Sequence, residues 1–178
     1  MKHFVQMSKL RRGAESGNSV PKIFIFVNDN IFLFCRFKND PNDYNKLLQP
    51  IIDNKADIVY GSRFKGDGPQ RTLVFLHTSG NKFLTFLSNL FTGLKLTDME
   101  TCYKAFKADI ASQITIKENR FGFEPEITAK ISRIKNVRVS EIPISYQART
   151  YATGKKIKWT DGFHAIWCIL KYNILSRK

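Results

Sequence analysis

DPNDYNKLLQPIIDNKADIVYGSR, residues 40–63, is the stretch that decides the fold class. Asp40-Pro41 suits a helix start, because the amide that proline lacks has no partner in a first turn. Tyr44, Leu47, Leu48, Ile51 and Ile52 then recur at helical spacing up to Asn54, giving one apolar face. Ala56 to Tyr60 follows as a short, mostly apolar strand that stops at Gly61-Ser62-Arg63. Helix, short turn and strand in that order predict an α/β unit.

Downstream, Phe64 to Arg71, with Gly66, Gly68 and Pro69, reads as a loop. Leu84, Leu87, Leu90, Phe91 and Leu94 form a helical stripe beginning near Asn81, and Tyr103 to Phe106 predicts a strand. A further helix is expected over Glu124 to Ile134, with Ile127, Ile131 and Ile134 on one face. Val137 to Tyr146 alternates like an edge strand, since Pro143 cannot donate to a central ladder. After a basic loop, Asp161 is expected to cap a last amphipathic helix running towards Ser176. Upstream, Met1 to Pro21 is basic and rich in Gly, Ser and Asn, and is expected to be a loose arm. Ile23 to Phe37 predicts a strand or a hairpin around Asn28-Asp29-Asn30. The chain therefore divides into a divergent arm, 1–39, and an orderly region, 40–178.

With 178 residues, 43% of them hydrophobic, the chain is long enough for one domain with its own core. A net charge of +14 favours polyanionic partners: nucleic acid, an anionic membrane surface or a phosphorylated substrate. Against nucleic acid, no helix-turn-helix, zinc finger or aromatic RNA-binding motif appears, and the basic residues scatter over several blocks. Cys35, Cys102 and Cys168 are widely spaced and odd in number, which fits a reducing compartment and small buried thiols. No apolar run approaches the ~20 residues of a bilayer-crossing helix, and no secretory signal pattern is present. A cytoplasmic chain, peripheral on the cytoplasmic face of a membrane, is the expected location.

Several longer blocks carry a resemblance. ADIVYGSRF (56–64), GNKFLTFLSNLFTGLKLTDMETCYKAF (80–106), RFGFEPEITAKI (120–131), EIPISY (141–146) and RTYATGKKIKWTDGFHAIWCILKY (149–172) occur in order. Together they resemble family-2 glycosyltransferases, in the branch of dolichyl-phosphate mannose synthase and its polyprenyl-phosphate relatives. The resemblance implies a GT-A, Rossmann-like α/β domain. It also implies transfer of a sugar from a nucleotide sugar to a polyprenyl or dolichyl phosphate, with inversion at the anomeric carbon. In such a displacement negative charge grows on the leaving phosphates, so a divalent metal (Mg or Mn) and basic side chains stabilise it. An acceptor that is already an anion has little need of a strong base.

The resemblance assigns roles to residues, each beside a plainer reading. Arg63, Arg71, Arg149, Lys155 and Lys156 become the cations for phosphate, as planar forks or point charges; the plainer reading of any one is a solvated surface charge. Asp98 and Glu100 in TDMETCYK become the catalytic pair, hydrogen-bonding hydroxyls or orienting the attacking group; otherwise they are loop carboxylates that cap or pair with a lysine. Glu124 and Glu126 would line the substrate, or merely complement a helix start. Phe121 and Phe123 are expected in the core. The stripe from Phe83 to Leu94 and the last helix, with Trp159, Trp167, Lys171, Tyr172 and Arg177, are candidates for lying on a membrane.

Before Asp40 the resemblance fails. Family members carry a nucleotide-binding βαβ half ending in a strand with an Asp-x-Asp metal motif, just ahead of the segment matched here by Asp40-Pro41-Asn42-Asp43-Tyr44. Phe34, Cys35 and Arg36 stand in that place, so the oxygen ligands of the metal are replaced by two apolar residues and a cation. The expectation is an incomplete domain lacking its first βαβ half: a truncated, weakly active or inactive copy with a newly exposed sheet edge, or one completed by a partner chain. A non-enzymatic, basic membrane-surface or lipid-phosphate-binding module is the alternative.

Overall fold

The computed structural model describes residues 10–11, 22–27, 30–36, 42–65, 75–145 and 159–176. Six strands form one sheet: β1 (Leu10–Arg11), β2 (Lys22–Val27), β3 (Ile31–Arg36), β4 (Ile58–Ser62), β5 (Lys104–Lys107) and β6 (Val139–Pro143), in the order β1-β2-β3-β5-β4-β6. Only β4 and β6 run parallel; the remaining neighbours are antiparallel. The helices are α1 (Asn42–Ile52), α2 (Phe75–Thr92), α3 (Ala108–Ser112), α4 (Phe123–Ile131) and α5 (Trp159–Leu170), with a 3-10 turn at Arg120–Gly122 and a π-helical turn at Lys171–Leu175. This mixed α/β arrangement is compatible with a Rossmann-like domain.

Alternation along the strands builds two cores, one on each sheet face. Ile31, Leu33, Val59 and Ala105 pack with Leu47, Leu48 and Ile51 of α1. On the other face, Phe34, Ile58, Tyr60 and Phe106 pack with Phe123, Ile127 and Ile131 of α4. Phe34 and Phe123 stack with ring centroids 4.6 Å apart. Burying an aromatic of that size is worth about 3 kcal/mol, which ties β3 firmly to α4. The helices α2 and α5 complete the α4 side of the sheet.

Where the sequence reading expected a newly exposed edge, β3 lines β5. Phe32 pairs with Phe106, Leu33 with Ala105 and Phe34 with Lys104, and β2 and β1 extend the sheet outward. Leu10–Arg11 pairs with Ile25 and Phe24, so even the basic arm touches the sheet. Strand β6 lies at the opposite edge with Pro143 as its last residue, where a missing amide breaks no ladder.

Some boundaries differ from expectation. Helix α2 begins at Phe75, ahead of Asn81, and runs through Gly80, where a Cβ would meet nothing within 4 Å. That glycine sits on an open face and costs the helix about 1 kcal/mol relative to alanine, too little to stop it. Helix α1 contains Pro50, whose carbonyl accepts from the amides of Lys55 (2.8 Å) and Ala56 (3.0 Å) in the closing turn. Helix α4 ends at Ile131, short of Ile134, and Asn136 then takes a left-handed φ of 58° that turns the chain into β6. Asp161 lies inside the first turn of α5, where it pairs with Arg120 at 3.7 Å. Gly61 is required by contact: a Cβ there would lie 2.7 Å from Ile144 and 2.9 Å from Tyr103.

Candidate active site

The carboxyl end of β4 and the start of β5 meet where Tyr60 pairs with Lys104. Carboxyl ends of strands are where open α/β sheets collect ligands. Arg63 follows β4 directly and grips Asp98, which lies on the loop joining α2 to β5. The fork is bidentate, Nε to Oδ2 at 2.6 Å and Nη2 to Oδ1 at 2.7 Å, and the Arg63 amide also donates to Oδ2 at 3.0 Å. Asn81 of α2 donates its Nδ2 to Asp98 Oδ1 at 3.1 Å. The same loop is pinned from β6: Glu141 accepts from the amides of Thr97 (2.9 Å) and Asp98 (3.0 Å) and from the Thr97 hydroxyl (2.8 Å). Asp98 is fully buried, so its position is set by three elements rather than by one flexible loop.

Beneath this fork lies a second ion pair. Lys104 is fully buried and its ammonium donates to the Glu124 carboxylate, to the Thr101 carbonyl and to the Met99 carbonyl at 3.3 Å. It also sits 4.8 Å from the Tyr60 ring centre, a cation–π contact. The Tyr60 hydroxyl bonds Thr128 Oγ1 at 3.0 Å, and burial raises its pKa above the ordinary tyrosine range. A lysine buried this deeply persists only when every ammonium proton has an acceptor.

Glu100 is the odd carboxyl among these pairs. Burial, then the neighbouring Glu124 charge, push it up to about 8, while Lys104 and Arg63 pull the other way. At neutral pH it holds a proton and can donate as well as accept. Its Oε1 is buried without a hydrogen-bond partner, and so are Asn81 Oδ1 and Thr78 Oγ1 on α2. A buried polar atom without a partner calls for an explanation. Ser88 Oγ on α2 is a further such atom; two of the four, on Glu100 and Asn81, belong to residues at the Asp98 cluster, where a polar ligand could complete them.

Of the residues marked in the sequence, Arg63, Asp98, Glu100 and Glu124 converge here. Asp98 does pair, with an arginine and not a lysine, and Arg63 spends its fork on that carboxylate. Glu126 works elsewhere: it accepts from the amides of Lys117 (2.9 Å) and Glu118 (2.7 Å) and from Lys130, fastening the segment before α4. Phe123 is buried and Phe121 only partly so. Arg71, Arg149, Lys155 and Lys156 lie outside the described residues. Sequence reading missed Lys104, Asn81, Tyr60 and Glu141. A signal existed for Lys104, which shares strand parity with the core residue Phe106; nothing marked Glu141 as the partner of a distant loop.

At β3 the donor set does not fit a hard divalent cation, which takes oxygen ligands. Phe34, Cys35 and Arg36 supply none from their side chains, and Phe34 is 2% exposed inside the α4-side core.

A different surface is apolar and open. On α2, Phe83, Phe86 and Leu90 are 54%, 63% and 67% exposed, and on the neighbouring α5 Trp159, Phe163 and Trp167 are 78%, 66% and 53% exposed. No helix among the described residues is long and apolar enough to cross a membrane.

No family model matches the chain. It is similar to a UDP-N-acetylglucosamine–dolichyl-phosphate N-acetylglucosaminyltransferase of Methanococcus voltae, 26% identical over 134 residues that cover 73% of this chain and 52% of the relative. An undecaprenyl-phosphate mannosyltransferase of Micrococcus luteus is 29% identical over 124 residues, 66% of this chain and 48% of the relative. An uncharacterized protein of Methanocaldococcus jannaschii is 22% identical over 139 residues, 77% and 57% respectively. The chain spans about half the length of the curated relatives it matches. These distant similarities support a family-2 glycosyltransferase-like protein, with the general character of a transferase.

Proposed function

We propose that these 178 residues form the acceptor-side part of a GT-A glycosyltransferase that passes a sugar from a nucleotide sugar to a polyprenyl or dolichyl phosphate. The observation that carries this reading is the buried Arg63–Asp98 and Lys104–Glu124 cluster, with the unpartnered oxygens of Glu100 and Asn81 beside it, at the carboxyl end of β4. The named relatives act on dolichyl and undecaprenyl phosphate. Asp98, held rigid by Arg63 and Asn81, orients the acceptor side. Glu100 offers a proton or accepts one at a sugar hydroxyl or phosphate oxygen. Arg71, Arg149, Lys155 and Lys156 supply the cations that bring two phosphates together, a task Arg63 is not free to perform alone.

The chain by itself binds donor weakly, because β3 carries Phe34, Cys35 and Arg36 where the metal carboxylates belong. The β3 side chains offer no oxygen ligand for a divalent ion, so metal-dependent donor binding would draw on groups outside β3. Peripheral attachment through the aromatic faces of α2 and α5 gives the site access to a lipid acceptor. Those faces also favour the second reading, a basic membrane-surface module without turnover.

The test is binding of polyprenyl phosphate in nanodiscs, run beside transfer of labelled sugar from nucleotide sugars. Saturable lipid-phosphate binding that falls in Arg149→Ala and Lys156→Ala is expected, with little or no transfer. Micromolar, metal-dependent binding of a nucleotide sugar would overturn the weak-donor reading, and vesicle binding indifferent to the polyprenyl phosphate would favour the surface module.

A further inference from the structure

Away from the β4 cluster, Glu118, His164 and Cys168 come together between α5 and the segment that leads into α4. His164 and Cys168 are four residues apart on α5 and so share a face. His164 Nε2 lies 3.7 Å from Glu118 Oε2 and 3.8 Å from Cys168 Sγ, and ligand atoms of all three lie within 4.8 Å of one another. An ion bound tetrahedrally at about 2.0–2.3 Å from each donor holds its donors roughly 3.3–3.8 Å apart. The observed separations need only small closing movements.

Cys168 packs with Ala129 and Tyr172 on one side, and the polar groups on its other side suit an ion. The other Glu118 oxygen, Oε1, accepts from Lys171 Nζ at 2.7 Å and the Tyr172 hydroxyl at 2.9 Å, which fixes Oε2 towards the histidine. Such outer partners commonly orient a metal-binding carboxylate. The 3-10 turn approaches closely because Gly122 has no side chain: a Cβ there would lie 2.9 Å from His164 Cε1 and 3.0 Å from Cys168 Sγ. His164 is half-exposed and lines a cleft of about 400 Å³ with Glu118, Arg120 and Asp161, so its ring can turn to aim a nitrogen and an ion can reach it.

We propose that Glu118, His164 and Cys168 form a three-ligand site for a borderline-soft divalent transition ion of the zinc class, with water in the fourth position. Sulfur and imidazole donors select against magnesium and calcium, which prefer all-oxygen sets. Thiolate and carboxylate together balance the charge of the ion. Lys171 holds Glu118 below the usual carboxylate range and so ionised. Burial keeps the Cys168 thiol protonated until an ion displaces that proton to solvent. Once bound, the ion clips α5 to the segment before α4.

Cobalt(II) titration of the reduced, untagged full chain tests this directly. One equivalent should raise a thiolate-to-cobalt charge-transfer band in the near ultraviolet, and zinc should bleach it. Cys168→Ser should abolish the band, and His164→Ala, at a half-exposed position that does not endanger folding, should weaken cobalt binding by an order of magnitude or more. Absence of the band overturns the site. So does a band that survives Cys168→Ser, which would place the ion on Cys35 or Cys102, or unchanged affinity in His164→Ala.

Discussion

Two arginine–aspartate forks sit at opposite ends of β4. At the amino end, Arg138 grips Asp57 with Nη2 to Oδ1 at 2.8 Å and Nε to Oδ2 at 3.0 Å; at the carboxyl end, Arg63 grips Asp98 almost identically, at 2.7 and 2.6 Å. Their surroundings differ. Arg138 is 46% exposed, and its donors also reach Asn54, while Lys107 shares Asp57 Oδ1 with it. Asp98 is sealed from solvent and Arg63 nearly so, beside a buried lysine, a protonated glutamate and oxygens with no partner. A network that spends its donors on itself in contact with water is scaffold. One that is desolvated and left incomplete is arranged for something to arrive.

That contrast can be broken most decisively at Lys104. Lys104→Met removes the ammonium that faces the buried Glu124 carboxylate next to Glu100, and should cost about 3–5 kcal/mol in urea unfolding. Adding Glu124→Gln should restore much of the loss; a single Lys104→Met as stable as the parent would show that the carboxyl-end network is not desolvated at all. Asp98→Asn keeps shape but strips the charge facing Arg63. A loss of about 2–3 kcal/mol is expected, with acceptor binding reduced beyond what the stability change explains.

Glu100 sharpens the comparison through pH. Its folded pKa of about 8 lies above the ordinary 4.5, so between those values the folded chain keeps a proton that the unfolded chain has released. Stability from this group is therefore full below about 4.5, declines as pH rises towards 8 and is flat beyond. Melting temperatures across that window should show the slope, and Glu100→Gln should flatten it. The smallest effect belongs to the amino-end fork: Arg138→Gln should lower stability slightly, and high salt should erase most of the difference, since exposed pairs are screened. A loss rivalling Lys104→Met would erase the distinction between the two ends.

Local signals carried much of the architecture. The 40–63 stretch placed α1 and β4, and Pro143 marked an edge strand correctly, because periodicity and proline act on neighbouring residues. The apolar stripe marks only part of α2 and so puts its start too late, near Asn81, whereas the helix begins at Phe75 and runs through Gly80. At the site, Asp98, Glu100, Arg63 and Glu124 were marked one by one from a block resemblance. That Arg63 faces Asp98, that Glu126 leaves the site for the amides of Lys117 and Glu118, and that Glu141 of β6 anchors the Asp98 loop are contacts between segments far apart along the chain.

The sequence alone determined the α/β character, the basic surface, the absence of carboxylates at Phe34-Cys35-Arg36 and the set of ionisable residues available. Those follow from composition and from spacing along a few turns or strand residues. Tertiary structure decided that β3 completes the sheet beside β5, which charges are buried, which partner each takes and which carboxyl keeps its proton. Desolvation and pairing depend on what the whole fold brings within a few ångströms, and no local pattern encodes that distance.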